Sequence, residues 1–251
     1  MSPYSVKKAW TRFRVKISYN GLKFHGWAIQ PNVKTVQGDL QTALTKLYNI
    51  KITVYGSGRT DAGVHALEQV FHFDAPKHIK PQAIQHYLNS WQKGLWFILG
   101  VQECKKPFHA RYDVKQKTYL YQIKCASDLN PMLYDLVWQI HDHLSITKLK
   151  QVAKLFEGTH NFLSFTTEQK EDNVRTIYRI TISQKNQIIF IKITGNGFLQ
   201  SMVRMLVGTM VNYALGKIDL NQCKKLLSQP QKGRAVVKAP ACGLYMERVR
   251  Y

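Results

Sequence analysis

Residues 55 to 76 read "YGSGRTDAGVHALEQVFHFDAP" and predict two strands joined by a glycine-rich loop. The loop holds one carboxylate, that of Asp61, among Gly56, Gly58 and Gly63. Glycines let the backbone adopt a positive φ or pass close to a ligand. We therefore expect the loop to hold a short acidic side chain at a fixed position at the edge of a sheet, where a carboxylate can act as a nucleophile or a general base.

Strand and helix patterns alternate on both sides of this loop. Before it, "TRFRVKISY" (11–19) alternates polar and apolar residues as a strand does. The next segment, "TVQGDLQTALTKLYNI" (35–50), predicts an amphipathic helix, because its apolar residues share one face. Further along, the patterns predict helices at 81–91, 147–158 and 198–214 and strands at 51–58, 67–75, 95–103, 117–125, 176–183, 188–195 and 243–250.

The two halves of the chain show these patterns in a similar order. We predict an α+β protein of two similar α/β-sandwich halves of the RRM or ferredoxin type. Together they would form one extended, mostly antiparallel sheet with helices packed on one face and the active cleft between the halves. Residues 1–105 would form the N-terminal half with the Asp61 loop, and residues 106–251 the C-terminal half.

The charge of the chain points to a polyanionic partner. Lysine and arginine number 36 against 15 acidic residues, for a formal charge of +21. Nucleic acid is the commonest soluble polyanion, and the basic residues are spread along the chain as in a folded basic groove. A hydrophobic share of 45% excludes a disordered protein. The apolar segment 197–216 carries Gln200, Ser201 and Arg204, so it predicts a buried helix and not a membrane span.

Other classes of site find little support in the sequence. The four cysteines lie far apart with no CxxC pair, which argues against a zinc ribbon or a disulfide framework and favours a reducing cytosol. The "HDH" at 141–143 has no matching third or fourth ligand at a recognisable spacing, so we predict no metal site. No signal peptide is expected, because residues 1–16 have no apolar core.

A partner for Asp61 has to come from elsewhere in the chain. Arg59 lies two positions away on an extended segment, where the two side chains point the same way. A cation from another segment would keep the carboxylate ionised and oriented. By itself "DAG" is more often a structural turn than a catalytic motif.

The longer string carries a family resemblance. "GRTDAGVHA" (58–66) resembles the signature of the TruA family of tRNA pseudouridine synthases residue for residue. Further blocks match that family in order along nearly the whole chain: "YNGLKFHGW" (19–27), "QVFHFDAP" (69–76), "FHARYDVKQKTYLY" (108–121), "HNFLSF" (160–165), "VRTIYRI" (174–180), "GFLQSMVRMLVG" (197–208) and "APACGLYM" (239–246).

The resemblance implies a reaction and a set of site residues. Such enzymes isomerise uridine to pseudouridine at positions 38, 39 and 40 of the tRNA anticodon stem-loop. Asp61 would be the catalytic nucleophile or base, and Arg204 the buried arginine that pairs with it. Tyr119 would stack on the target base, and Arg59 would face the RNA. Leu244, with its neighbour Tyr245, is a candidate for the apolar floor of the uracil pocket.

The resemblance also implies no metal or organic cofactor, a homodimer that binds a tRNA across both subunits, and a cytoplasmic location. Two departures from the family pattern occur. Ala28 and Ile29 stand where many members have a Gln-x-Gln pattern, and Gln200 and Ser201 stand where His or Asn is common. We expect both to concern RNA contacts more than chemistry. Two other functions stay open: a tRNA-binding protein or chaperone without catalysis, and the same isomerisation on another RNA.

Overall fold

The computed structural model describes residues 10–91, 93–104, 107–126, 130–168, 171–235 and 237–251. The strands are β1 (Trp10–Tyr19), β2 (Tyr55–Gly56), β3 (His65–Pro76), β4 (Trp96–Cys104), β5 (Gln116–Cys125), β6 (Trp138–Ile140), β7 (Gly158–Asn161), β8 (Val174–Lys185), β9 (Ile188–Gly195) and β10 (Leu244–Arg250). The helices are α1 (Val36–Tyr48), α2 (Pro81–Trp91), α3 (Ile146–Phe156), α4 (Met202–Ala214) and α5 (Leu220–Ser228).

All ten strands join one sheet in the order β4-β1-β3-β10-β5-β9-β8-β7, with β2 paired to β3 and β6 paired to β5. In the N-terminal half, the spatial order β4-β1-β3-β2 places the fourth, first, third and second strand side by side. In the C-terminal half, with the short strands β6 and β7 set aside, the order β10-β5-β9-β8 shows the same arrangement. Each half therefore repeats the strand-helix-strand-strand-helix-strand order of a ferredoxin-like unit. This confirms the predicted fold class. The boundary between residues 105 and 106 stays a prediction.

The two halves meet where β10 pairs with β3. The pairing is parallel and short, with Tyr245 opposite His65 and Met246 opposite Ala66. On the same side of β3, β2 pairs further along the strand, with Tyr55 opposite His72. The loop between β2 and β3 must therefore pass through the junction between the halves.

Apolar side chains from alternate strand positions form the core under the helices. In β1, Phe13, Val15, Ile17 and Tyr19 are all buried, while the residues between them are polar. Because strand side chains alternate between faces, this pattern buries one side of the sheet. Helix α4 is buried along nearly its whole length, as its apolar sequence predicts.

The structure differs from the sequence prediction in several places. The short strands β6 and β7 are not predicted, and β7 begins at Gly158, inside the helix predicted at 147–158. The strand predicted at 51–58 pairs only at Tyr55–Gly56, opposite His72 and Phe71 of β3. The helix predicted from residue 198 begins at Met202. Helix α5 is not predicted, because it is short and polar; its one local signal is the capping box between Asp219 and Gln222. No helix among the described residues is long and apolar enough to cross a membrane.

Candidate active site

Backbone hydrogen bonds hold the Asp61 loop on both sides. At its start, the Ser57 N–H donates to the Val70 carbonyl at 2.7 Å. In its middle, the Thr60 carbonyl accepts from the Trp27 N–H at 3.1 Å. At its end, the Asp61 carbonyl accepts from the Val64 N–H at 3.2 Å. The backbone on both sides of the Asp61 side chain is therefore fixed.

Two glycines of the "YNGLKFHGW" segment let this loop pack closely. Gly26 has a φ of +91°, and a Cβ built on it would lie 2.6 Å from the Thr60 carbonyl oxygen. A Cβ on Gly21 would collide with the Val64 carbonyl. Only glycine fits such close backbone approaches, so this segment acts as the floor of the loop.

Asp61 forms an ion pair with Arg204, in the first turn of α4. The Arg204 Nη1 lies 3.1 Å from Asp61 Oδ2, and the two side chains are 12% and 28% exposed respectively. Arg204 is itself held in place, because its Nε donates to the Ala239 carbonyl at 2.7 Å. The guanidinium thus fixes one carboxylate oxygen, while the side chain of Asp61 stays within reach of a substrate.

Ser201 also contacts Asp61. Its hydroxyl donates to Oδ2 at 3.1 Å. Ser201 is the N-cap of α4, yet its φ is +60° and its side chain caps no backbone N–H, although an N-cap serine usually has an extended backbone and bonds the first turn. Ser201 therefore contacts the candidate catalytic residue directly, and the sequence carried no signal for this contact. The expectation that this departure concerns RNA contacts more than chemistry stays a prediction.

The two donors leave one oxygen of Asp61 open. Arg204 and Ser201 both bond Oδ2, and no hydrogen bond to Oδ1 occurs within the described parts of the chain. Oδ1 therefore keeps its lone pairs for a substrate. An asymmetrically held carboxylate suits a nucleophile or a base, because one oxygen is fixed and the other is reactive.

Tyr119 lies next to this pair on β5. Its ring is 7% exposed and packs edge-on against Phe198, with ring centroids 5.1 Å apart. Burial, with the nearby charges of Tyr19 and Asp61, raises the pKa of the Tyr119 phenol. The hydroxyl therefore stays protonated at neutral pH, and Asp61 is near enough to influence it.

The start of β10 presents two different faces. Leu244 and Met246 stand opposite Tyr121 and Tyr119, so they share the face of those tyrosines. Tyr245 points to the other face, where its ring stacks on His65 at 4.6 Å and its hydroxyl donates to the Leu136 carbonyl. Tyr245 therefore supports the loop from behind, and Leu244 is buried beside the cleft.

Cationic groups surround the start of the loop. Arg59 is exposed, and it forms no hydrogen bond or ion pair within the described residues. Lys117, which sequence reasoning did not select, donates from Nζ to the Ser57 carbonyl at 2.7 Å. Burial and the charges of Arg111 and Arg175 lower the pKa of Lys117 to about 8. The cleft is therefore electropositive beside the Asp61–Arg204 pair.

The described residues contain no group of three or more His, Cys, Asp or Glu side chains that could hold a metal ion. His65 lies in the loop motif but acts in packing. Its Nδ1 accepts from the Gly21 N–H at 3.2 Å, and burial lowers its pKa. The neutral ring joins the loop to its glycine floor.

Comparisons with known proteins show which family the chain resembles. A family model described as tRNA pseudouridine synthase matches residues 16–113 and 152–251. A relative from Mycoplasmoides gallisepticum, named tRNA pseudouridine synthase A, is 45% identical over 238 residues, covering 94% of this chain and 90% of the relative.

Two further relatives show the same extent of match. One from Mycoplasma genitalium, with the same name, is 44% identical over 236 residues, covering 94% of this chain and 96% of the relative. One from Bacillus cereus, named tRNA pseudouridine synthase A 2, is 33% identical over 242 residues, covering 95% of this chain and 99% of the relative. The family resemblance of the sequence motifs is confirmed, and the chain belongs to the tRNA pseudouridine synthase family.

Proposed function

We propose that this chain is an isomerase that converts uridine to pseudouridine in tRNA, at positions 38, 39 and/or 40 of the anticodon stem-loop. The reaction breaks the N1–C1′ bond, rotates the uracil and joins C5 to C1′; the proton leaves C5, and N1 gains one. The observation that carries the proposal is the Asp61–Arg204 ion pair of 3.1 Å at the junction of the two halves, in a member of this family.

Asp61 is the proposed catalytic residue, acting through Oδ1 as nucleophile or base. Arg204 holds the other oxygen and balances its negative charge. The hydroxyl of Ser201 adds a second hydrogen bond to that oxygen. With both donors in place, the carboxylate is oriented before the substrate arrives, and such preorganisation is a main source of catalytic rate.

Three further residues would hold the substrate. Tyr119 stacks on the target uracil; this requires Phe198, now packed against its ring, to move aside. Leu244 lines the apolar floor, and Arg59 contacts the RNA backbone or occupies the space of the flipped base. Stacking contributes about 1–3 kcal/mol per base, which offsets part of the cost of extruding the uridine from its stem.

The proposal includes no metal or organic cofactor, because the isomerisation is redox neutral and moves only one glycosidic bond and protons. The formal charge of +21 supports tRNA binding with a strong salt dependence. On the basis of the family resemblance we also propose a homodimer that binds tRNA across both subunits in the cytoplasm. Light scattering coupled to size-exclusion chromatography measures the mass of the particle in solution.

The direct test is the release of tritium from tRNA that carries 5-tritiated uridine. We expect turnover with the wild-type chain and none with Asp61→Asn, which has the same shape without the carboxylate. Asp142→Asn, an exposed residue outside the cleft, is the matched control and should keep full turnover. Binding of the same tRNA by Asp61→Asn should be largely kept, because the substitution removes a negative charge from an electropositive cleft.

Other results of the tritium-release assay would contradict the proposal in different ways. Binding of tRNA without tritium release by the wild type would favour a non-catalytic tRNA-binding protein. Release from a different RNA but not from tRNA would assign the same chemistry to that RNA. An active Asp61→Asn would show that Asp61 is not the catalytic residue. Substrates with a single labelled uridine at position 38, 39 or 40 identify the modified position.

A further inference from the structure

A turn beside the cleft presents an aromatic side chain to solvent. Tyr112 is 76% exposed, in the turn formed by residues 109–113. The turn is tightly bonded: the Asp113 N–H donates to the His109 carbonyl at 3.1 Å, and Asp113 Oδ2 accepts from the His109 N–H at 2.7 Å. A single exposed tyrosine carries no functional information by itself, but this one is held in a fixed position.

Tyr112 is the outer member of a stack of rings. Its ring stacks on His109 at 4.3 Å, His109 meets His72 at 4.6 Å, and His72 stacks on Tyr55 at 5.0 Å. Burial lowers the pKa of His109, and it lowers the pKa of His72 to about 4. Both rings are therefore neutral at pH 7. The Tyr112–His109 and His72–Tyr55 pairs are stacked, and the edge-on contact between His109 and His72 joins them into one aromatic support under the exposed ring.

Two cations border this stack without a carboxylate partner. The Arg111 guanidinium lies 5.9 Å from the centre of the Tyr112 ring. Lys117 stands opposite Val249 in β10, and Tyr251, two residues further on, donates from its hydroxyl to the carbonyl of Ala110, the neighbour of Arg111, at 2.7 Å. The charge of Arg111 also lowers the pKa of Lys117. Within the described residues neither side chain forms an ion pair, and Lys117 donates only to the Ser57 carbonyl. Like charges held together in this way attract an anion.

The group lies one step from the proposed uracil pocket. Lys117 and Tyr119 are two positions apart on β5, so they point to the same face at a separation of about 6.6 Å. Tyr55 begins the segment that leads to Asp61. The turn is joined to the end of β10, next to the start of β5, by the hydrogen bond from the Tyr251 hydroxyl to the Ala110 carbonyl. A nucleotide next to a uridine held at Tyr119 would therefore lie near Lys117 and the turn.

We propose that Tyr112, Arg111 and Lys117 form a second nucleotide-binding site, which takes an unpaired nucleotide neighbouring the target uridine. Its base stacks on the Tyr112 ring, and its phosphate lies between Arg111 and Lys117. Aromatic stacking combined with arginine and lysine contacts to phosphate is how proteins hold single-stranded nucleic acid. The proposal rests on the proposed function, since it specifies how the same RNA continues beyond the cleft.

The test measures the affinity of the full chain for unmodified tRNA by fluorescence anisotropy. We expect Tyr112→Ala to weaken binding about fivefold or more, the fold-change for the loss of one stacked base, and Tyr112→Phe to stay within about twofold. The matched control is Tyr178→Ala, because Tyr178 is 53% exposed and precedes an arginine in β8, two strands away. Equal losses in Tyr112→Ala and Tyr178→Ala, or no loss in Tyr112→Ala, would overturn the site.

Two further readouts test stacking and the phosphate contact separately. With 2-aminopurine placed in turn at each unpaired position of an anticodon stem-loop, one position should be quenched by the wild type and by Tyr112→Phe but not by Tyr112→Ala. Lys117→Gln should reduce the slope of log affinity against log salt by about one, and Lys117→Arg should keep it. A slope unchanged in Lys117→Gln would remove Lys117 from the site.

These readouts do not require turnover. Absence of tritium release with intact quenching would reject the proposed function and leave the site standing. Tritium release with no quenched position would reject the site alone.

Discussion

At the scale of single residues, the N-cap of α4 is used for the site and not for its helix. Ser201 bonds Asp61 Oδ2, has a φ of +60° and caps no backbone N–H. A side-chain N-cap bond is typically worth about 1 kcal/mol, and a non-glycine residue in the left-handed region costs about 1–2 kcal/mol. Strain of this kind concentrates at functional sites, and here it aims a hydroxyl at the carboxylate.

We therefore expect Ser201→Gly to separate activity from stability. Glycine removes the hydroxyl but also relieves the positive φ. The lost hydrogen bond, about 1.5–3 kcal/mol, and the relieved strain, about 1–2 kcal/mol, oppose each other, so the melting temperature should change little. Loss of a hydrogen bond to a charged group costs about 1.5–3 kcal/mol, so kcat for tritium release should fall about tenfold or more. Differential scanning calorimetry and steady-state kinetics measure the two effects.

Ser201→Asn is the rescue variant, because asparagine tolerates the left-handed region and its amide supplies a donor. It should recover part of the lost turnover. If Ser201→Gly turns over like the wild type, the hydroxyl does not position Asp61. A melting temperature lowered in Ser201→Gly by far more than the loss of one hydrogen bond explains would instead assign Ser201 a structural role.

At the scale of elements, the Asp61 loop depends on the glycines beneath it. The backbone of Gly26 has a φ of +91°, and a Cβ there would lie 2.6 Å from the Thr60 oxygen. Thr60 directly precedes Asp61, so any shift that makes room for a side chain displaces the carboxylate. The position of the candidate catalytic carboxylate, which lies in the loop between β2 and β3, is therefore also controlled by the segment after β1.

We expect Gly26→Ala to lower the free energy of unfolding by about 2 kcal/mol or more, since the substitution combines backbone strain with a collision. The folded fraction should also lose most of its turnover. Urea unfolding and tritium release on the same samples measure both effects.

Two alanine substitutions serve as controls for Gly26→Ala. Gly94 has a φ of +81° but open space around a Cβ, and Gly100 has open space and no positive φ. Gly94→Ala should therefore lower the free energy of unfolding through backbone strain alone. Gly100→Ala should leave the free energy of unfolding unchanged, and both variants should keep full turnover. Equal activity in Gly26→Ala and Gly94→Ala would show that the loop does not depend on its close contact with Gly26.

At the scale of the whole molecule, the two ferredoxin-like halves are one sheet. The C-terminal strand β10 pairs with both β3 and β5, so each half supplies an edge that the other covers. The Asp61–Arg204 pair crosses the same junction. Unfolding one half would expose the edge of the other and separate the charged pair.

We therefore expect thermal unfolding in a single cooperative transition, with equal calorimetric and van't Hoff enthalpies. Differential scanning calorimetry of the full chain tests this expectation. Two resolved transitions would show instead that residues 1–105 and 106–251 unfold as independent domains.

Much of this architecture could be predicted from local sequence. Alternating and helical patterns predicted most strands and helices, because burial of one face leaves its period in the sequence. The motif around Asp61, with the matching blocks along the chain, predicted the family and the pairing of Asp61 with Arg204, which the structure shows as an ion pair. The short β2 and the start of α4 were less predictable, since strand pairing and a strained cap are set by contacts distant in the chain.

The sequence by itself therefore determined the class of fold, the family and the identity of Asp61, Arg204 and Tyr119 as candidates. Only the tertiary structure decided that Ser201 shares Asp61 Oδ2 with Arg204, that Tyr245 faces away from the cleft, and that Lys117 lies against the Asp61 loop. The physical reason is that hydrogen bonds and charge clusters join side chains far apart in sequence, and no local period records which of them meet.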